Sequence, residues 1–134
     1  MGSDEDEVLA VFDALDDTLA RRDLDGALEL FTDDGDVTFW GSAEAERAVG
    51  PQALRELMAL VVAAPGSFTL TYTERRVRVE GEAAWVNAAG SARWERPGLD
   101  AVEMPYRLTG VLVRRDGRWR WHTHHGSEPE LPGP

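Results

Sequence analysis

Met104-Pro-Tyr-Arg-Leu-Thr-Gly-Val-Leu-Val-Arg-Arg-Asp-Gly-Arg-Trp-Arg-Trp-His-Thr-His-His125 reads as two strands joined by a tight turn. Apolar and polar side chains alternate on both sides of Arg115-Asp116-Gly117, which suits a three-residue hairpin with Gly117 in the left-handed region. Two more strands precede this pair. In Phe68–Val79, Phe68, Leu70 and Tyr72 alternate with Thr69, Thr71 and Thr73. Gly81-Glu82 turns into Ala84–Glu95, and Pro97-Gly98 turns again. The second half of the chain is therefore four long antiparallel strands.

The first half is helical. Val8, Val11, Phe12, Leu15 and Leu19 recur at spacings of three and four, which predicts a helix over Ser3–Arg22 with Ser3 as its cap. Asp13, Asp16 and Asp17 fall mostly off that stripe. A short helix is expected over Leu24–Phe31, ending before Asp33-Asp34-Gly35. Val37–Trp40 is a short strand, and Gly41–Gly50 a mobile loop. Pro51 opens a third helix in which Leu54, Leu57, Met58, Val61 and Val62 pack, ending near Pro65-Gly66. The expected architecture is α+β: three helices packed on one strongly curved, mostly antiparallel sheet, a cone with an internal cavity. The 134 residues suit a single domain with its core over about 5–126. The tail 128–134, with three Pro, is expected to fray.

Composition removes several function classes. The net charge is −11, and all 14 cations are Arg. Residues 1–36 carry 13 acids and two Arg, whereas the remainder is balanced. Nucleic-acid binding, which needs clustered positive charge, is not expected. No apolar run approaches a membrane span, and the acidic start lacks the pattern of a secretory signal, so a cytoplasmic protein is expected. Zero cysteine excludes disulfides and thiolate chemistry.

Three stretches carry a family likeness: Asp23-Leu-Asp-Gly-Ala-Leu-Glu-Leu-Phe-Thr-Asp-Asp34, Gly50-Pro-Gln-Ala-Leu-Arg55 and Asp116-Gly-Arg-Trp-Arg-Trp-His-Thr-His-His-Gly-Ser127. Together with the order of elements, they resemble the SnoaL-like, nuclear-transport-factor-two-like superfamily over about residues 5–130. The third stretch is similar to the branch that contains the association domain of calmodulin-dependent kinases. The resemblance implies the cone fold and leaves the reaction open, because this fold hosts isomerases, cyclases, hydrolases, dehydratases and binders. The ketosteroid isomerases of the superfamily use a carboxylate base, a Tyr and a protonated Asp. The matching positions here hold Phe39, Leu15 and Thr109, so that particular chemistry is not expected.

Strand parity, with Trp119 and Trp121 facing the helices, sends Thr123 and His125 the same way. Through the three-residue turn, Arg107, Thr109, Val111 and Val113 follow. The resemblance adds Trp85, Asn87, Ala89, Ser91 and Arg93. The expected pocket is therefore lined by Leu15, Phe39, Trp40, Met58, Asn87, Ser91, Arg93, Thr109, Trp121 and Thr123. His125 stands as candidate general base and Arg107 as anion stabiliser. Structural alternatives stand beside these roles: a His125 bonded to backbone or Ser127, and arginines paired with Glu95 or Glu103. His122 and His124 share a strand face on this reading, but no third ligand follows from spacing. Asp33–Asp36 lacks the remainder of a calcium loop, so neither a metal nor a cofactor is expected. Tyr106, Leu108, Leu112, Val86, Trp94 and His122 would line an outer sheet face apolar enough for a homodimer. The sequence thus points to a small-molecule protein, its ligand compatible with negative charge. It is either a cofactor-independent acid–base isomerase, cyclase or hydrolase, or a non-catalytic ligand-binding or oligomerisation module.

Overall fold

The computed structural model describes residues 3–129. Most of the tail expected to fray, from residue 130 onward, lies outside them. The elements run α1 (Asp4–Ala20), α2 (Leu24–Leu28), β1 (Thr38–Trp40), β2 (Arg47–Val49), α3 (Pro51–Ala63), β3 (Ser67–Glu80), β4 (Ala83–Glu95), β5 (Val102–Arg115) and β6 (Arg118–Ser127). The six strands form one sheet in the order β2-β1-β6-β5-β4-β3, antiparallel except where β1 meets β6. The three helices cover one face of this curved, unclosed sheet. Among the described residues no helix is long and apolar enough to cross a membrane.

Local chemistry explains the boundaries. At the start of α1, Ser3 Oγ accepts from the Asp6 amide while the Asp6 carboxylate accepts from the Ser3 amide, which satisfies two amides the helix leaves open. The helix stops at Ala20 because Arg22 adopts a left-handed φ of 58°. The expected extension of α2 to Phe31 does not form. The Leu30 and Phe31 amides still make turn bonds to Ala27 and Leu28, but Trp121 donates its amide to the Leu30 carbonyl and Thr32 donates to the Trp121 carbonyl, so the chain joins β6 here instead of continuing the helix. The expected loop 41–50 contains β2, which pairs with β1 and buries Ala48.

The facing of the strands differs from the sequence expectation, for two physical reasons. First, Asp116 and Gly117 both have positive φ, and Arg115 pairs with Arg118. This is a two-residue type I′ turn rather than a three-residue one, and the change moves each β5 side chain to the other face. Tyr106, Leu108 and Leu112 therefore join Trp119 and Trp121 in the core. Through the β4–β5 register, Ala84, Val86, Ala88 and Ala92 follow. Second, β6 bulges at His122, which has no partner on β5, so the buried residue beyond Trp121 is His124 and not Thr123 or His125. Arg107, Thr109, Asn87, Ser91, Arg93, Thr123 and His125 consequently lie on the face away from the helices.

Within the core, Phe12 of α1 meets Tyr72 edge-on at 5.0 Å and Trp121 at 5.9 Å. Leu15, Phe39, Met58 and Trp121, expected in the pocket wall, are buried here. The facing can be checked by denaturation. Leu108→Ala should cost about 3 kcal/mol by urea unfolding, as removal of a buried leucine does. Thr109→Ala, one residue on and exposed, should stay within about 0.5 kcal/mol. The reverse order of costs would contradict the register.

Candidate functional site

The core fills the closed end of the cone and leaves a cleft of about 480 Å³ at its mouth. The cleft lies between the last turns of α1 and α3, the segment Pro65–Leu70 and Trp94. Its walls are mainly apolar: Leu19, Val61, Leu70 and the partly exposed rings of Phe68 and Trp94. Phe68 packs edge-on to Tyr106 at 5.9 Å, and the Arg96 guanidinium covers Trp94 at 4.0 Å. Arg22 forms part of the rim. Its guanidinium donates to the carbonyls of Val62, Ala64 and Gly66 at 2.6, 2.8 and 2.7 Å, which ties the end of α1 to the end of α3 and the start of β3.

Of the two aspartates that line this cleft, Asp16 and Asp17, one is unpaired. Asp16 is half-buried, and among the described residues no hydrogen bond or ion pair engages its side chain. Its neighbours are occupied: Asp13 pairs with Arg75 at 2.6 Å, and Asp17 with Arg21 at 3.4 Å. Burial pushes the Asp16 carboxyl up to about 7; the Asp13 charge adds to this, and Arg75 opposes it. The Tyr72 hydroxyl is buried with no hydrogen-bond partner in the described structure. Burial, then the Asp16 charge, raises its pKa well above the usual range. Tyr106 is raised likewise, first by burial and then by surrounding carboxylates that include Asp16. A carboxyl that titrates near neutrality in an apolar cleft can take up or give a proton.

The residues expected at the site lie elsewhere. Asn87, Thr109 and His125 do come together, as cross-strand neighbours in a row that continues to Trp40, but on the outer face. Trp40 is half-exposed, edge-on to His125 at 6.2 Å and covered by Arg47 at 4.8 Å. Arg93 pairs with Glu95 at 2.8 Å and Glu103 at 3.4 Å. Arg107, Ser91 and Thr123 are also outside the cleft. His124, read from the sequence as sharing a strand face with His122, stacks on Phe39 at 4.6 Å in the core. Burial, with a smaller contribution from His125, lowers it to about 3, so it stays neutral. Asp16 was visible in principle: it follows Phe12 by four and precedes Leu19 by three, on the arc that faces the sheet.

The whole chain is similar to several solved structures. A candidate dehydratase of the NTF2-like family from Streptomyces avermitilis is 21% identical with a TM-score of 0.85, the match covering 96% of this chain and 98% of that one. A candidate calcium/calmodulin-dependent protein kinase II association domain from Xanthomonas campestris is 20% identical with a TM-score of 0.82, over 97% and 91%. A candidate scytalone dehydratase from Novosphingobium aromaticivorans is 12% identical with a TM-score of 0.82, over 94% and 84%. Identities this low establish the fold alone. No curated protein matches the chain. The model of the SnoaL-like domain matches residues 8–130, nearly the full length, and the chain belongs to that family.

Proposed function

We propose that the protein binds a small, largely apolar, uncharged organic molecule in the mouth of the cone and moves a proton on it, with Asp16 as the acid–base group. The carrying observation is an unpaired carboxyl group in an apolar cleft. As carboxylate, Asp16 would remove a proton from carbon next to a carbonyl. As carboxylic acid, it would return that proton or give it to a departing hydroxyl. This reading suits isomerisation or dehydration equally. Arg93 and Arg107, expected to favour an anionic ligand, lie outside the cleft, and the cation on its rim, Arg22, spends its donors on the carbonyls of Val62, Ala64 and Gly66.

A second reading concerns assembly and is compatible with the first. The outer face of β4 and β5 presents a half-exposed Trp85 with Val111 and Val113 beside it. This face, rather than Tyr106, Leu108 and Leu112, is the surface we assign to a homodimer.

The proton-transfer reading is tested with a bicyclic ketone, 2-tetralone, in deuterated buffer. The protein should accelerate exchange at the carbon beside the carbonyl, and Asp16→Asn should lower that rate about 100-fold or more. An exchange rate equal to that of buffer, or unchanged in Asp16→Asn, would sink it. The Asp16 environment also has a stability consequence. Its folded value near 7 lies above the ordinary 3.8, so the folded state keeps a proton that the unfolded chain releases. The resulting cost sets in above pH 4, is complete near pH 7, and is on the order of 2 kcal/mol after allowance for partial solvent contact. Urea unfolding at about pH 4.5 and about pH 8 should show a loss in the wild type that Asp16→Asn does not share. For the dimer, light scattering should give twice the chain mass of 14.8 kDa. Trp85→Glu should return the monomer, and a wild-type monomer at high concentration refutes the assignment.

A further inference from the structure

The bulge in β6 has a chemical consequence away from the cleft. Thr123 faces Val111 and Trp121 faces Leu112, so His122 is the extra residue. Bulges re-aim side chains. This one places the His122 ring against the turn that precedes β1. Its Nε2 lies 3.1 Å from Asp36 Oδ1 and 3.4 Å from Asp34 Oδ2, and the three ligating atoms lie within 4.8 Å of one another. The same bulge separates His122 from His124, which the sequence placed on one strand face.

One imidazole nitrogen offers a single N–H or a single lone pair along one direction, so it cannot serve two carboxylates equally well. A tetrahedral ion can serve all three groups. Zinc bonds to nitrogen and carboxylate oxygen of 2.0–2.2 Å set the edges of such a tetrahedron at about 3.3–3.6 Å, close to the two separations between His122 and the carboxylates. We propose that His122, Asp34 and Asp36 form a binding site for a divalent transition-metal ion of the zinc class. One imidazole with two carboxylates suits Zn²⁺ or Co²⁺ better than Ca²⁺ or Mg²⁺, which favour all-oxygen shells.

The neighbouring groups prepare this site. Arg115 donates to Oδ1 of Asp34, which orients the carboxylate and leaves Oδ2 for the ion. That bond, reinforced by the charges of Arg115 and His122, holds the Asp34 carboxyl below the usual range, so it is ionised at neutral pH. The side chains of His122 and Asp34 are only 20% and 21% exposed, whereas that of Asp36 is 77% exposed. The fourth position therefore opens to solvent and takes water. None of the three residues lines the cleft at the mouth. The bound ion would staple the turn before β1 to β6, independently of the chemistry proposed for Asp16.

Titration of the intact protein with ZnCl₂ by calorimetry, and with CoCl₂ by visible absorption, tests the site. One equivalent should bind with a micromolar dissociation constant, and Co²⁺ should show the visible bands of a four-coordinate ion. Asp36→Asn and His122→Ala should each weaken binding at least about tenfold, and His125→Ala should leave it unchanged. Zinc should raise the Tm of the wild type by several degrees and not that of Asp36→Asn. No saturable binding up to about 1 mM would overturn the proposal, as would binding that survives both substitutions or is lost in His125→Ala. If His122→Ala does not fold, Asp36→Asn, a change at an exposed side chain, decides alone.

Discussion

The two-residue turn at Asp116-Gly117 is the constraint on which the rest of the molecule depends. With Arg115 paired to Arg118, every residue of β5 has its facing set by the turn, and β4 inherits that facing through its ladder with β5. Trp119 and Trp121 then meet Leu112, Leu108 and Tyr106 on one side of the sheet. Neither central residue has room for error. Both sit at positive φ, where Gly117 is unstrained and Asp116 is among the few side chains tolerated. The helices have one apolar surface to cover, and Phe12 reaches both Tyr72 and Trp121 across it.

What the core leaves over defines the cleft. Two tryptophans, a methionine and several branched residues fill the narrow end and leave the cleft at the mouth, where α1 and α3 end. Arg22 holds those ends together by three bonds to carbonyl groups. Two of these carbonyls, Val62 and Ala64, belong to the end of α3, and Gly66 leads into β3. The same left-handed residue that stops α1 thus frames the opening. Asp16, nearly two turns earlier, is carried into that opening by the arc it shares with Phe12 and Leu19.

Element type and order were legible because periodicities of 2 and 3.6 are strong over long segments. β2 was not, since three residues carry no periodicity. Facing was the weak point, for a specific reason. Counting Arg115 into the loop, although Asp-Gly is itself the two-residue signal, shifts β5 by one, and a shift of one exchanges core for surface along a whole strand. The extra residue at His122 then shifts β6 beyond it a second time. The pocket read from parity was therefore the outer row of Asn87, Thr109 and His125, a true neighbourhood on the wrong side of the sheet. Leu15, Phe39, Met58 and Trp121 were placed on the correct side because helix stripes and the Trp-x-Trp repeat do not depend on that turn. Tyr72 was read only as one of the apolar positions of its strand and Asp16 as lying off the helix stripe, because periodicity reports facing and says nothing of an unpaired polar group.

The acidity of the first quarter takes on a structural sense once the sheet is in place. Asp4 meets Arg114 of β5 at 2.9 Å, Asp13 meets Arg75 of β3 at 2.6 Å, and Asp34 meets Arg115 at the end of β5. Each of these pairs is at least partly exposed and contributes no more than about 1 kcal/mol. Their shared direction matters more: negative helices and turns lie against a sheet whose arginines cross to meet them. That arrangement disfavours the alternative in which the helices cover the other face, where Arg93 already has Glu95 and Glu103 as partners. Asp16 departs from the pattern. It belongs to the same acidic helix but, among the described residues, forms no ion pair, and it lines the cleft with Leu70, Phe68 and Trp94. An acid without a partner, placed in an apolar cleft, is where the fold has chemistry left to spend.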